Sequence, residues 1–244
     1  MVWTRSDFVQ RPPGAAESCA GSHEIPGIPL ESFALDYRDR IKTLGAALER
    51  PLSVGAPASL ARFADEVALW NRKMNLTAAR KPVALVEVLF ADAVVLADEE
   101  VVPRDAQVLD VGSGAGAPAI PLALLREDVS LTLVEPLHKR VAFMRHAIGK
   151  LGLGGRVRVL ERKLAPGDED LEGAPFSLAM SRATLAPADW LALGLEHAPR
   201  VLVLTAAQEA PEAPDGVNVS PSHAVSYTLP STSATRTITA YERG

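Results

Sequence analysis

The chain has 244 residues, of which 23% are charged, and its formal net charge at neutral pH is −5. This length can bury a full core and indicates one domain with an appendage. The single cysteine, Cys19, excludes an internal disulfide and fits a reducing compartment. The amino terminus has no apolar core typical of a signal peptide, and no run reaches the roughly 18 apolar residues of a membrane span. We therefore expect a soluble cytoplasmic monomer with no membrane partner, and we assign no metal site.

The amino-terminal part of the chain divides into two segments. Residues 1–31 are predicted to be a flexible tail, because they contain several prolines and glycines and no apolar period. In residues 32–100 apolar side chains recur at steps of three or four, as Phe63, Val67 and Trp70 illustrate, and Pro82 opens a second apolar run. These patterns predict a helical cap, with Trp70 in its core.

The remaining segment, residues 101–244, alternates short apolar strands with amphipathic helices. This alternation predicts an α/β fold with a parallel sheet and right-handed crossovers. The predicted strands are 107–111, 131–134, 156–160, 176–180 and 201–205, and the predicted helices are 137–151 and one opened by Pro187. A loop rich in Pro and Glu, 206–221, precedes two strands, 223–229 and 235–241, which should form an antiparallel hairpin.

The most informative stretch is residues 107–135, which contain a strand, a glycine loop, a helix opened near Pro118 and a second strand that ends in an acid. Gly112, Gly114 and Gly116 allow a sharp turn and a close approach to a ligand, because none of them has a Cβ. Glu135 ends the second strand, where a carboxylate can accept hydrogen bonds from both hydroxyls of a ribose. The order of these features predicts a site for a nucleotide-containing cofactor.

Two cofactors compete for this site. Gly112, Gly114 and Ala117 satisfy the G-x-G-x-x-G/A pattern of dinucleotide-binding domains. Asp110, however, would repel a pyrophosphate, whereas it suits a cofactor that carries a sulfonium and an ammonium group. The D-x-G-x-G-x-G pattern is thus closer to class I S-adenosylmethionine-dependent methyltransferases than to dehydrogenases. A glycine turn without a ligand is the third interpretation.

The distribution of charge is uneven although the protein is acidic. Residues 138–163 contain eight Lys or Arg and one acid, and a weaker basic cluster joins Arg62, Arg72, Lys73, Arg80 and Lys81. Such residues can bind RNA phosphates, but a basic run is more commonly the solvated face of a helix. The charge alone leaves both interpretations open.

Four sequence strings resemble one family in order and spacing. They are WNRKMNLT at 70–77, VLDVGSGAGAPAIPLAL at 108–124, HKRVAFMRH at 138–146 and SRA at 181–183. Together they resemble the bacterial 16S ribosomal RNA guanine-N7 methyltransferases, known as RsmG or glucose-inhibited division protein B. The likeness covers about residues 60–241, and WN-x-x-x-NLT is its most specific part.

This resemblance implies a Rossmann-like sheet with a helical amino-terminal cap and an antiparallel carboxyl-terminal hairpin. It implies S-adenosylmethionine as methyl donor and, as acceptor, N7 of a guanosine in the 530 loop of 16S RNA within the small ribosomal subunit. The implied cofactor-binding residues are Asp110, Gly112, Ser113, Gly114, Gly116, Glu135, Pro136, Arg162, Lys163 and Leu164. The implied RNA-binding residues are Lys139, Arg140, Arg145 and Arg236. Arg182, expected just after the fourth strand, is assigned the catalytic, acceptor-facing role.

The chain departs from the family where an Arg-His pair is usual, since it has Val88 and Leu89 there. Thr205 replaces a lysine, and residues 117–119 replace Phe-Pro-Gly. An alternative is therefore a diverged protein that binds cofactor without turnover, or that acts on another RNA or a small molecule. Guanine N7 carries no proton, so the expected reaction needs no general base. Asp92 could bind the guanine edge, or it could be a cap-helix carboxylate that pairs with a basic neighbour.

Overall fold

The computed structural model of the protein describes residues 30–206, 212–213 and 219–243, with side chains from residue 37 onward. The predicted tail lies outside the described residues up to position 29, as does Cys19. In chain order the described elements are α1 (Leu30–Ala47), α2 (Ala56–Asn71), α3 (Pro82–Leu96), β1 (Gln107–Val111), α4 (Ala119–Leu125), β2 (Ser130–Val134), α5 (His138–Leu151), β3 (Val157–Leu160), β4 (Leu178–Arg182), α6 (Pro187–His197), β5 (Arg200–Thr205), β6 (Val219–Thr228) and β7 (Thr235–Arg243). None of the described helices is both long and apolar enough to cross a bilayer.

The strands form one mixed sheet in the order β3-β2-β1-β4-β5-β7-β6. Strands β1 to β5 run parallel, and β7 runs antiparallel to both β5 and β6. This topology confirms the predicted fold class. Val111 of β1 lies opposite Val134 of β2 and Ser181 of β4, so the strands end together. Because the strand order reverses at β1, a ligand site is expected beyond these ends.

Side chains of the central strand alternate between two cores. Val108 belongs to the larger core, on the side of α2 to α5, whereas Leu109 belongs to the smaller core with Trp190 of α6 and Tyr241 of β7. Both strand residues are fully buried. Fully buried parallel strands require helices on both faces of the sheet, which explains why β1 is apolar almost throughout.

The helical cap shares the larger core with the sheet. Phe63 of α2 packs on Phe90 of α3 and Phe143 of α5, at ring-centroid distances of 6.4 and 6.3 Å. Trp70 packs edge-on against Phe143 at 5.6 Å, so it is partly buried against the core, at the edge of its predicted place. Helix α3 begins at Pro82 as predicted, where a missing N–H costs nothing. The cap is therefore fixed against α5 by aromatic contacts.

Three predicted boundaries were wrong. β4 extends to Arg182, so this residue lies in the strand rather than after it. β6 begins at Val219 rather than at residue 223, with a register shift after Pro221. Proline is tolerated there because β6 is an edge strand, whose outer N–H groups need no partner. Pro118 caps α4 from just outside and is not part of its first turn.

Candidate functional site

A cavity of about 520 Å³ lies beyond the carboxyl ends of β1, β2 and β4. Its walls are formed by the glycine loop, by residues 135–137 after β2, by residues 182–184 and by two parts of the cap. The cap contributes Leu76 and Thr77 from the α2–α3 loop, and Val88 and Leu89 from α3. This volume lies within the usual range of small-molecule sites, about 300 to 1,000 Å³.

The three glycines of the loop have positive φ angles but different surroundings. A Cβ on Gly112 (φ 76°) would lie 2.0 Å from Oγ1 of Thr184, and a Cβ on Gly116 (φ 77°) would lie 2.5 Å from Ile120. At Gly114 (φ 59°) the nearest heavy atom would be 3.9 Å away. Gly112 and Gly116 are thus required by the protein's own packing, whereas the space beside Gly114 is open for a ligand.

Glu135 connects the loop to the start of α5. Its carboxylate is 2% exposed and accepts hydrogen bonds from the backbone N–H groups of Gly114, at 2.9 Å, and Leu137, at 3.0 Å. Arg140 lies 3.7 Å away and also lines the cavity. A carboxylate has about four acceptor positions, so two remain for a ligand hydroxyl. The predicted ribose acceptor is therefore at the cavity wall and already fixes the loop.

Asp110 lies beneath the glycine loop and is 2% exposed. Its Oδ2 has no hydrogen-bond partner, and burial raises the pKa of its carboxyl to about 6. The nearby Ser113 hydroxyl donates to the Asp110 backbone carbonyl at 2.9 Å. A buried acceptor without a donor is rare in folded proteins and requires an explanation. A cationic ligand, or a water held by one, would supply it.

Arg182 is held by three groups at the cavity wall. One guanidinium nitrogen donates to the Val88 carbonyl at 2.9 Å and to Asp92 at 2.5 Å, and the other donates to the Ala117 carbonyl at 3.0 Å. The second carboxylate oxygen of Asp92 accepts a hydrogen bond from the Tyr227 hydroxyl. Burial, reinforced by the charge of Asp92, raises the pKa of Tyr227 well above its usual value. Arg182 thus joins cap, loop and sheet, and each Asp92 oxygen accepts a hydrogen bond from the protein.

Several predicted residues lie outside the cavity wall. Arg162 forms an ion pair with Asp168 at 2.8 Å, Lys163 is exposed, and Leu164 is buried in the smaller core. The structure therefore does not bring residues 162–164 into contact with the cavity. Gly116 and Asp110 lie behind the loop rather than on its surface, whereas Ser113 and Pro136 line the cavity.

The predicted RNA-binding residues are found on two elements. Lys139, Arg140 and Arg145 lie on α5, where Arg145 is 3.8 Å from Glu161 and donates to the Val159 carbonyl. Arg236 lies on β7 opposite Tyr227 and is half-buried. Only Arg140 of these four lines the cavity.

The sequence reasoning missed two contributors to the site. Thr184 covers Gly112, and its position directly after the SRA string could have indicated this. Tyr227 reaches Asp92 across 135 residues of chain, and no local pattern could have indicated that contact.

Comparison with known proteins agrees with this geometry. A family model described as "GidB: rRNA small subunit methyltransferase G" matches residues 57–219. A protein named ribosomal RNA small subunit methyltransferase G from Anaeromyxobacter dehalogenans (strain 2CP-C) is 41% identical over 152 residues, which are 62% of this chain and 68% of the relative. A protein of the same name from Myxococcus xanthus is 36% identical over 158 residues, 64% of this chain and 71% of the relative.

Among solved structures, an O-methyltransferase from Bacillus cereus in complex with SAH covers 86% of this chain and 99% of its own, with a TM-score of 0.54 and 17% identity. That likeness concerns the fold. The family match spans well over half of the chain and includes the α2–α3 loop, the glycine loop and the end of β4. The chain therefore belongs to the GidB family of small-subunit ribosomal RNA methyltransferases.

Proposed function

We propose that this protein is a cytoplasmic, monomeric enzyme that transfers a methyl group from S-adenosylmethionine to N7 of a guanosine in the 530 loop of 16S ribosomal RNA. Membership of the methyltransferase G family supports the reaction and the substrate class. The observation that carries the proposal for this chain is the cavity at the ends of β1, β2 and β4, with Glu135 at its wall and unpartnered Asp110 beneath it.

The residues at the cavity fit this donor. Glu135 would bind the ribose hydroxyls, and the open space beside Gly114 would let the ligand approach the loop closely. Asp110 supplies negative charge for a cationic group. When bound, S-adenosylmethionine supplies an electrophilic methyl on a positively charged sulfur. A dinucleotide fits less well, because Asp110 beneath the loop would oppose a pyrophosphate.

The protein's own part in the reaction is positioning. Guanine N7 offers a lone pair and carries no proton, so no residue has to act as general base. Holding two reactants in the correct orientation can contribute several kcal/mol, up to about 7 to 11. Arg182 is the residue we assign to this task on the acceptor side, because it lines the cavity in a geometry fixed by Val88, Asp92 and Ala117.

Access of the guanosine requires an unstacked base. Sequence-specific RNA recognition mostly uses bases in loops and bulges, which can be turned out of the stack. The acceptor side of the cavity is bordered by the apolar side chains of Val88 and Leu89, of which Val88 is 37% exposed. The exposed Val88 side chain can contact the face of a base, with the buried Leu89 behind it, while Arg140 and Lys139 provide positive charge for the neighbouring phosphates.

The apolar pair also favours a second candidate function. Val88 and Leu89 stand where the family resemblance implies Arg and His, so the cavity lacks two polar groups on its cap side. A protein that binds the cofactor but has lost turnover, or that methylates a different RNA or a small molecule, would show such a wall.

One experiment separates these functions. The protein is incubated with tritiated S-adenosylmethionine and small subunits from a strain that lacks this methylation, with large subunits as the control. Incorporation into 16S RNA alone, followed by mass mapping to N7 of one guanosine in the 530 loop, supports the proposal. Cofactor binding in titration calorimetry without label in any RNA would establish the second candidate instead.

A further inference from the structure

The loop between α2 and α3, residues 72–81, is a basic surface beside the cavity. Between Glu66 and Glu87 the sequence contains four Lys or Arg and no acid, in a protein with a net charge of −5. Two residues of this loop, Leu76 and Thr77, form part of the cavity wall. Positive charge is therefore concentrated at the cap side of the entrance.

Internal hydrogen bonds fix the shape of this loop. The buried side chain of Asn71 accepts from the N–H groups of Leu76 and Thr77, at 2.9 and 3.1 Å, and donates to the Thr77 carbonyl at 3.1 Å. Arg80 donates to the Asn71 carbonyl at 3.2 Å and to the side chain of Asn75 at 3.0 Å. The loop is thus a rigid turn, and Arg80 is used to build it.

The other three basic residues of the loop differ from Arg80, whose side chain holds the turn together. Arg72, Lys73 and Lys81 are exposed, and none of them takes part in an ion pair with any residue that the structure describes. On α5, by contrast, two of the four Lys and Arg residues, Arg140 and Arg145, lie within 4 Å of a glutamate. The loop therefore offers charge that is less neutralised by the protein itself than that of α5.

We propose that Arg72, Lys73 and Lys81 form a binding surface for the phosphate backbone of the RNA segment whose base enters the cavity. This inference rests on the proposed function. Exposed, unpaired cations on a rigid support bind phosphates at a small entropic cost, and each contact releases condensed counterions. The rigid turn sets a fixed relation between these charges and the cavity wall at Leu76 and Thr77, so phosphate binding here orients the strand toward the cavity.

The test replaces all three residues by glutamine and leaves Arg80 unchanged. The matched control, Arg38→Gln with Lys42→Gln and Arg104→Gln, removes the same charge from exposed positions that lie outside both basic clusters and do not line the cavity. For both proteins we measure the affinity for unmethylated small subunits as a function of salt, the KM and kcat of methyl transfer, and the affinity for S-adenosylmethionine.

We expect the loop variant to lower the log–log salt slope by about 2, since each phosphate contact with single-stranded RNA contributes about 0.7. The KM for subunits should rise at least about tenfold, with kcat and cofactor affinity within about twofold of the unaltered protein, whereas the control should change none of these values. A second variant, Arg72→Lys with Lys73→Arg and Lys81→Arg, should keep the affinity, because phosphate binding needs charge rather than one side-chain shape.

Equal salt slopes or equal KM values for the loop variant and the control would overturn the inference while leaving the proposed function intact. Loss of affinity in the charge-conserving variant would also contradict it. Failure of the unaltered protein to methylate small subunits, with normal cofactor binding, would instead refute the proposed function.

Discussion

Asp92 of α3 and Arg182 of β4 are separated by 90 residues in the chain, yet their side chains form an ion pair with an N–O distance of 2.5 Å. The pair is largely buried, with 11% of the Asp92 side chain and 29% of the Arg182 side chain exposed. Tyr227 completes it from β6. A cap helix, the central sheet and the carboxyl-terminal hairpin therefore meet at one carboxylate beside the cavity.

Replacing Arg182 tests both its structural and its catalytic assignment. Arg182→Ala leaves Asp92 without its cation, so we expect a loss of about 2 kcal/mol in the free energy of unfolding. Methyl transfer to small subunits should fall at least about tenfold, or about 1.4 kcal/mol, with cofactor affinity nearly intact. Arg182→Lys should restore little transfer, because a compact ammonium cannot reproduce the planar guanidinium whose two nitrogens reach acceptors on separate elements.

A double-mutant cycle identifies the source of that effect. If the ion pair is what stabilises Arg182, combining Arg182→Ala with Asp92→Asn should cost clearly less than the sum of the single changes in chemical denaturation. Strict additivity would show that Arg182 acts independently of Asp92. Loss of cofactor binding in the folded Ala variant would move the acceptor assignment elsewhere, with Arg236 as the next residue to test.

Two glycines of the loop provide a matched pair. At Gly112 a Cβ would lie 2.0 Å from the Thr184 side chain, so Gly112→Ala should reduce the melting temperature markedly. At Gly114 the nearest protein atom would be 3.9 Å away, so Gly114→Ala should cost only about 1 kcal/mol, for its positive φ, and mainly weaken cofactor binding. Thermal melting and titration calorimetry measure the two effects. Unchanged affinity in Gly114→Ala would show that no ligand approaches this face of the loop.

Asp110 should make stability depend on pH. Burial raises the pKa of this carboxyl from 3.8 to about 6 in the folded protein. The protonated carboxyl therefore contributes stability that is fully present below about pH 3.8 and is lost as the pH rises through about 6. Asp110→Asn removes this dependence. The free energy of unfolding of the variant, minus that of the unaltered protein, should therefore increase by about 1 kcal/mol from about pH 5 to about pH 8. A constant difference across this range in denaturant titrations would contradict the burial of an ionisable group here.

Glu135 should affect both the cofactor and the loop. Glu135→Ala removes the proposed ribose acceptor, and we expect cofactor binding to weaken by about 1.5 to 3 kcal/mol, the usual contribution of hydrogen bonds to a charged group. Because the same carboxylate holds the N–H groups of Gly114 and Leu137, hydrogen exchange at these two amides should become faster. Glu135→Gln, which keeps one acceptor oxygen, is the control. Its cofactor affinity should lie between those of the unaltered protein and Glu135→Ala. Calorimetry showing full affinity in Glu135→Ala would refute the assignment.

The local features of the site could be predicted from the sequence. Strand β1, the glycine loop and Glu135 follow one another within 29 residues, so periodicity and glycine spacing were sufficient to place them. The resemblance to methyltransferases was confirmed by the family match. The Asp110 carboxylate could be read as unfavourable to a pyrophosphate before any contact was known.

The contacts of the site could not be predicted in the same way. Arg182 was assigned an acceptor-facing role, and its bonds to Val88 and Asp92 depend on how α3 lies across the ends of the strands. This packing is set by many apolar contacts between cap and sheet, none of which has a local signal. Residues 162–164 follow strand β3, but they do not line the cavity, and the side chain of Leu164 is buried in the smaller core.

The hairpin β6–β7 contacts α3 at two positions. Besides Tyr227 with Asp92, Ser231 donates both its N–H and its hydroxyl to Glu87. Glu87 and Asp92 flank Val88 and Leu89, so the apolar side of the cavity is braced by residues close to the carboxyl end of the chain. During synthesis the hydrogen bonds from the hairpin to Glu87 and Asp92 cannot form until the hairpin has left the ribosome, because domains fold from chain that has already emerged. A nascent chain that has exposed all of its glycine loop, but not yet Tyr227 and Ser231, would therefore still lack the contacts that hold α3 beside the cavity.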